Sequence, residues 1–161
     1  MVDDEPRWLS TDETNAWIAL SALTTHLPHA LDTQLQRDAG ISLAEYHVLS
    51  WLSMAPDRTH RMRDLAARAD VSLSHLSRIV ARLEARGWIR RHPDPTDGRT
   101  TLATLTDAGW DKVVATAPGH VAEARRRVFD RLDDAQVGHL AAVARQVVEA
   151  CGVTLPRVDG D

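Results

Sequence analysis

Apolar positions recur at helical spacing over most of the chain. Leu20, Leu23, Leu27, Leu31 and Leu35 follow at steps of three and four, the stripe of an amphipathic helix. Ser10-Thr11-Asp12-Glu13 ahead of them has the spacing of a capping box, so the pattern predicts a helix over 10–40 with a kink at Pro28. A second box, Ser42-Leu43-Ala44-Glu45, opens a shorter helix containing Leu49 and Leu52 that closes before Pro56. From Met62, Leu65, Ala66 and Ala69 describe about two helical turns, which Asp70-Val71-Ser72 interrupts. Ser72 can cap the helix that follows. That helix sets Leu76, Ile79, Val80 and Leu83 on one side and Ser74, Ser77, Arg78, Ala81 and Arg82 on the opposite arc. Gly87 suits the left-handed residue after a helix end. Trp88 to His92 then reads as a strand, Pro93 to Gly98 as a turn and Thr100 to Leu105 as the return strand of a two-stranded hairpin.

The remaining chain is helical again. Thr106 can cap a helix carrying Trp110, Val113, Val114, Ala117, Val121, Ala124 and Val128, with a second kink expected at Pro118. Asp133-Asp134-Ala135-Gln136 opens the last helix, with Val137, Leu140, Ala141, Ala144, Val147, Val148 and Cys151 along it. The fold class is therefore mainly α with a small β-hairpin wing. Helix, helix, tight turn, helix and hairpin form a winged helix-turn-helix domain at 42–106. It is flanked by N- and C-terminal helices at 10–40 and 107–151, whose apolar faces suit dimerisation, and by a flexible tail at 152–161.

Charge sharpens this picture. The net charge is -4, but between Arg58 and Arg99 ten arginines stand against five acids, while the rest of the chain carries nine basic and eighteen acidic residues. A basic middle between acidic ends suggests a polyanion-binding module in an acidic scaffold; a solvated arginine-rich face is the plainer reading. No apolar run approaches the roughly 20 residues of a membrane span. The acidic start Met1-Val2-Asp3-Asp4-Glu5 lacks the basic and apolar stretches of a secretory signal, so a cytoplasmic protein is expected. Cys151, the one cysteine, can form neither an intrachain disulfide nor a zinc-finger spacing and is expected to be packed. Serine, histidine and aspartate occur together near residues 70 to 77, but without a nucleophile elbow or phosphate loop; no enzyme and no cofactor are expected.

In a winged domain the helix after the turn enters the DNA major groove. Ser72, Ser74, His75, Ser77, Arg78 and Arg82 supply hydroxyl, ring and guanidinium groups able to bond base edges and phosphates. Ser72 and Ser74 could equally serve only as caps, and Arg78 and Arg82 only as solvated charges. At the hairpin tip, Arg99 suits the negative potential of a narrow minor groove, and Asp97 is placed to orient its guanidinium.

The run Met62-Arg63-Asp64-Leu65-Ala66, the stretch Val71 to Ile89, the wing Asp97-Gly98-Arg99 and the following Leu105-Thr106-Asp107-Ala108-Gly109 together resemble the MarR family of bacterial transcriptional regulators. The motifs lie between residues 62 and 109, although the similarity of organisation extends over nearly the whole chain. The resemblance implies a homodimer on a pseudo-palindromic operator in double-stranded DNA, read here as a repressor. It also implies the helix from Ser72 in the major groove, Asp97 and Arg99 at the wing tip, and a small lipophilic or phenolic effector in a crevice between dimer helices and winged lobe, with no ligand residue identified. The family's thiol sensors carry a cysteine near the first helix, which this chain lacks. Two alternatives stay open. One is a metal-responsive regulator using histidines such as His26 and His29, spaced i, i+3, or His120 with Glu123. The other is a winged-helix adaptor that binds protein instead of DNA. Trp17, Trp51 and Trp110 are expected in the core ahead of a ligand crevice.

Overall fold

Ser10 and Ser42 each begin a helix by reciprocal capping. In the computed structural model, which describes residues 6–155, the Ser10 hydroxyl accepts from the Glu13 amide at 3.2 Å while the Glu13 carboxylate accepts the Ser10 amide at 2.7 Å. Ser42 and Glu45 repeat the exchange at 3.2 and 2.9 Å. Two orphan backbone donors are thereby satisfied at each helix start. Helix α1 spans Thr11–Ala39, continues through Pro28 and ends at Gly40, whose φ of 64° is the left-handed conformation a Schellman-type cap requires. Next come α2 (Leu43–Ser53), β1 (Thr59–Arg61), α3 (Met62–Arg68), α4 (Leu73–Ala85), β2 (Ile89–Pro93), β3 (Thr101–Leu105), α5 (Asp107–Arg127) and α6 (Asp134–Ala150). Short 3-10 turns at Pro56–Arg58 and Phe129–Arg131 complete the described chain.

The apolar side of α4 is buried as its spacing predicts: Leu76, Ile79, Val80 and Leu83 are fully covered, each stabilising the fold by about 1.5–3 kcal/mol. They pack into one cluster with Leu49 and Leu52 of α2, Leu65 of α3, Leu35 at the end of α1, and Ala103 and Leu105 of β3. The sheet differs from expectation. It has three antiparallel strands in the order β1-β3-β2, because Thr59, His60 and Arg61 pair with Thr104, Ala103 and Leu102. The Thr59 and Thr104 hydroxyls meet at 2.8 Å across that pair. Asp57 and Arg58, both at φ 52°, turn the chain into β1.

The described chain divides into two units, with the boundary after His120 inside α5. The first holds the core just described. The second contains the end of α5, where the Glu123 carboxylate accepts from Arg126 and Arg127 at 2.6 and 2.7 Å. It also contains α6, opened by the expected capping box between Asp133 and Gln136. No residue of α6 is buried, and α1 buries only Gln34 and Leu35.

Several expectations change here. Cys151 is exposed, since the last helix has no cover in the single chain. Trp17 and Trp110 are exposed as well, leaving Trp51 as the one of the three tryptophans packed on the core. Val128 falls just past the end of α5. The acidic start at residues 1–5 and the end of the tail at 156–161 lie outside the described residues. Among the described residues no helix is long and apolar enough to cross a membrane.

Candidate nucleic-acid interface

The turn between α3 and α4 is closed by backbone. The Ala69, Asp70 and Val71 amides donate to the Leu65, Ala67 and Ala66 carbonyls at 3.0, 3.3 and 3.1 Å. Asp70 takes the left-handed conformation at φ 50°, which its short polar side chain tolerates better than most. Ser72 then caps α4, its hydroxyl accepting from the His75 amide at 3.2 Å and lying 3.1 Å from the Ser74 hydroxyl. Ser72 thus acts locally. Ser74, His75 and Arg78 are exposed on the arc opposite the core, and Ser77 is half-buried.

Arg82 belongs to a different arrangement. Its Nε donates to Oε1 of Glu45 on α2 at 3.0 Å. Burial alone would raise the Glu45 pKa, but the Ser42 amide and Arg82 more than offset it and hold the carboxyl below its usual value. Arg86, one turn on, donates to the Gly40 carbonyl at 3.0 Å. The C-terminal half of α4 is therefore fastened to the α1–α2 corner.

A second fastening joins α4 to the wing. Glu84 Oε1 accepts the Arg91 backbone amide at 2.9 Å, and Oε2 accepts Nε and Nη2 of the same arginine at 2.9 and 2.6 Å. This bidentate geometry lowers the Glu84 pKa. At the wing tip, Asp94 is only 8% exposed. It accepts from the Thr96 hydroxyl and amide at 2.7 and 2.8 Å and pairs with Arg61 of β1 at 3.3 Å. Asp97 does not orient the Arg99 guanidinium as expected. Its carboxylate accepts the Arg99 backbone amide at 3.1 Å and the Thr100 hydroxyl at 2.9 Å, so it shapes the turn and forms no ion pair with the exposed guanidinium.

The arginine count overstated the binding face. Arg58 pairs with Asp107 at 3.0 Å and lies 4.3 Å over the Trp110 ring. Arg61, Arg82 and Arg91 form ion pairs and Arg86 holds a carbonyl. Arg63, Arg68, Arg78, Arg90 and Arg99 are exposed and form no ion pair among the described residues; Arg68 lies 5.7 Å over the Trp51 ring. The contacts of Glu84 and Glu45 escaped the sequence reading because their partners lie on other elements, Arg91 in β2 and Arg82 in α4, where no spacing within one helix relates them.

Three further features adjoin the lobe. Gly109 lies so close to β2 that a Cβ there would come within 2.2 Å of the Trp88 carbonyl oxygen, which accounts for the glycine after Leu105-Thr106. Thr106 joins both sides, donating to the Gly87 carbonyl at 2.7 Å and accepting the Gly109 amide at 3.0 Å. A cavity of about 410 Å³ opens between α1, α2 and α4, lined by residues including His29, Asp32, Ala44, His47 and Ile79. His120 packs against Tyr46 with ring centroids 4.5 Å apart and the planes tilted by 53°. Burial lowers the pKa of both His47 and His120. Among the described residues no three His, Cys, Asp or Glu side chains cluster to hold a metal.

Comparison with known proteins gives one consistent family. A model of the MarR family matches residues 39–100. The crystal structure of Sco3205, a MarR family transcriptional regulator from Streptomyces coelicolor in complex with DNA, shares 44% identity, covers 92% of each chain and superposes with a TM-score of 0.87. AbsC, a MarR family regulator from the same organism, shares 32% identity over 91% of this chain and 98% of its own, with a TM-score of 0.85. An uncharacterized HTH-type transcriptional regulator of Bacillus subtilis, YdcH, is 34% identical over 92 residues, 52% of this chain and 63% of its own length. The chain thus spans somewhat under two thirds of that curated relative.

Proposed function

This chain belongs to the MarR family of transcriptional regulators, and from that premise we propose that it binds a pseudo-palindromic operator as a homodimeric repressor whose affinity a small effector lowers. The observation that carries the reading is the pairing of an exposed Ser74-His75-Arg78 arc on α4 with a hydrogen-bonded wing presenting Arg99, on a chain so similar to a regulator crystallised with DNA. Ser74, His75, Ser77 and Arg78 read base edges in the major groove, and Arg99 enters the flanking minor groove. Ser72, Asp97 and Arg82 serve that reading by capping, turn-shaping and fastening. Two such helices engage half-sites about one helical turn, ~34 Å, apart. The dimer reading draws on α6 and the first turns of α1, which bury nothing in the single chain.

Repression is relieved when a lipophilic effector fills the 410 Å³ cavity, whose α4 wall includes Ile79. A ligand there shifts the lobes only as far as it binds the two arrangements unequally. The test is titration of the protein against the intergenic DNA beside its own gene at two salt concentrations, with a shuffled duplex as control. Tight, salt-sensitive preference for the intergenic duplex is expected; equal binding to the shuffled duplex overturns operator recognition, and no binding to either duplex favours the adaptor reading.

A further inference from the structure

Between the two DNA-reading elements lies a notch that neither accounts for. It is a cavity of about 600 Å³ bounded by Arg61 and Arg63 on one wall, Leu73 at the start of α4, and Asp97, Arg99 and Thr101 of the wing on the other. Its position matters because adjacent major and minor grooves of a duplex are separated by one sugar–phosphate strand. A protein with α4 in one groove and its wing in the next must let that strand pass between them. The notch is the gap left for it.

Its chemistry fits the same passenger. Arg63 and Arg99 are exposed, and neither guanidinium forms an ion pair among the described residues, so each keeps five N–H donors for an acceptor from outside. Two carboxylates share the rim, Asp64 and Asp97. Asp97 accepts from the Arg99 amide and the Thr100 hydroxyl. Arg61 is held by the buried Asp94, which fixes the wall. Leu73 is 50% exposed, an apolar surface where a deoxyribose ring would lie. We propose that this notch is a backbone-binding site for a DNA phosphodiester, with Arg63 its phosphate ligand. The inference rests on the DNA-binding reading above but concerns a residue outside both the recognition arc and the wing tip.

Phosphate contacts position a protein without reading sequence, which gives Arg63 a distinctive signature. The experiment measures operator affinity over a range of salt concentrations for wild type, Arg63→Ala, Arg63→Lys and, as a charge control, Arg125→Ala in the second unit, with thermal melting to confirm folding. Arg63→Ala is expected to bind operator and mismatched duplexes more weakly by the same factor and to flatten the slope of log affinity against log salt by about one. Arg63→Lys should keep most of the slope and Arg125→Ala all of it. A wild-type slope retained in Arg63→Ala overturns the site, as does a change in base preference. Wild type that fails to bind DNA overturns the DNA-binding reading itself. Calorimetric titration with inorganic phosphate separates the remaining source: saturable phosphate binding lost in Arg63→Ala, with the DNA slope unchanged, makes the notch a free-anion site and overturns the backbone assignment.

Discussion

Gly109 shows how one atom can hold a junction. With Trp88 carbonyl oxygen 2.2 Å from where a Cβ would stand, and that oxygen belonging to backbone, Gly109→Ala must push α5 away from the root of the wing. Overpacking of this kind costs about 1–3 kcal/mol, so the melting temperature in circular dichroism should fall by several degrees, whereas Gly138→Ala, with open space around it, should not lower it. The arginines divide in a way that binding assays can read. Arg99→Ala should weaken binding to all duplexes, while Arg78→Ala should also relax preference at one base position, a discrimination worth about 1–3 kcal/mol. Parallel titrations against single-base operator variants check both; equal losses on every duplex for Arg78→Ala would remove it from base reading. At this scale residue type alone misled: Asp97 was expected to serve a guanidinium and instead serves two groups of its own turn.

The helices were legible because their signals are local. Capping boxes span four residues, and the Leu76-Ile79-Val80-Leu83 stripe closes within two turns, so both survive whatever tertiary structure surrounds them. The strand β1 was not legible, because three residues carry no period, and its partners in β3 are more than 40 residues away. The fastenings Glu45–Arg82 and Glu84–Arg91 were hidden because each joins two different elements, although all four residues were visible as charges. A double-mutant cycle on Glu84 and Arg91 should give a coupling of about 1 kcal/mol in stability, since both partners are partly exposed. It should also weaken operator binding by loosening the wing against α4. The helices α2 and α5 meet through Tyr46 and His120, and here pH enters. His47 and His120 have folded pKa values depressed below 6.5 by burial. The unfolded chain therefore binds more protons in that range, and the stability they contribute is complete above pH 6.5 and lost as pH falls through the folded values. Denaturant melts from pH 7.5 to 5 should show declining stability, with a shallower decline in a His47→Gln/His120→Gln variant; identical slopes would clear the pair of any role.

The single chain leaves more apolar helix uncovered than a stable monomer usually tolerates. Trp17, Ile18 and Leu23 of α1 and Leu140, Val143 and Val147 of α6 are all exposed. A homodimer covering them should sediment at twice the chain mass, and Val143→Asp with Val147→Asp should shift it toward monomer and lose operator affinity far beyond any local effect, because each half-site then binds alone. Unchanged sedimentation would show that α6 lies outside the subunit contact. The same exposed tryptophan makes association visible without a label. Indole emission moves to shorter wavelength when water leaves the ring, so if α1 pairs across the dimer, diluting the protein should redden its fluorescence. A Trp17→Phe variant should lose most of that shift, turning one uncovered side chain into an optical gauge of how tightly two subunits hold.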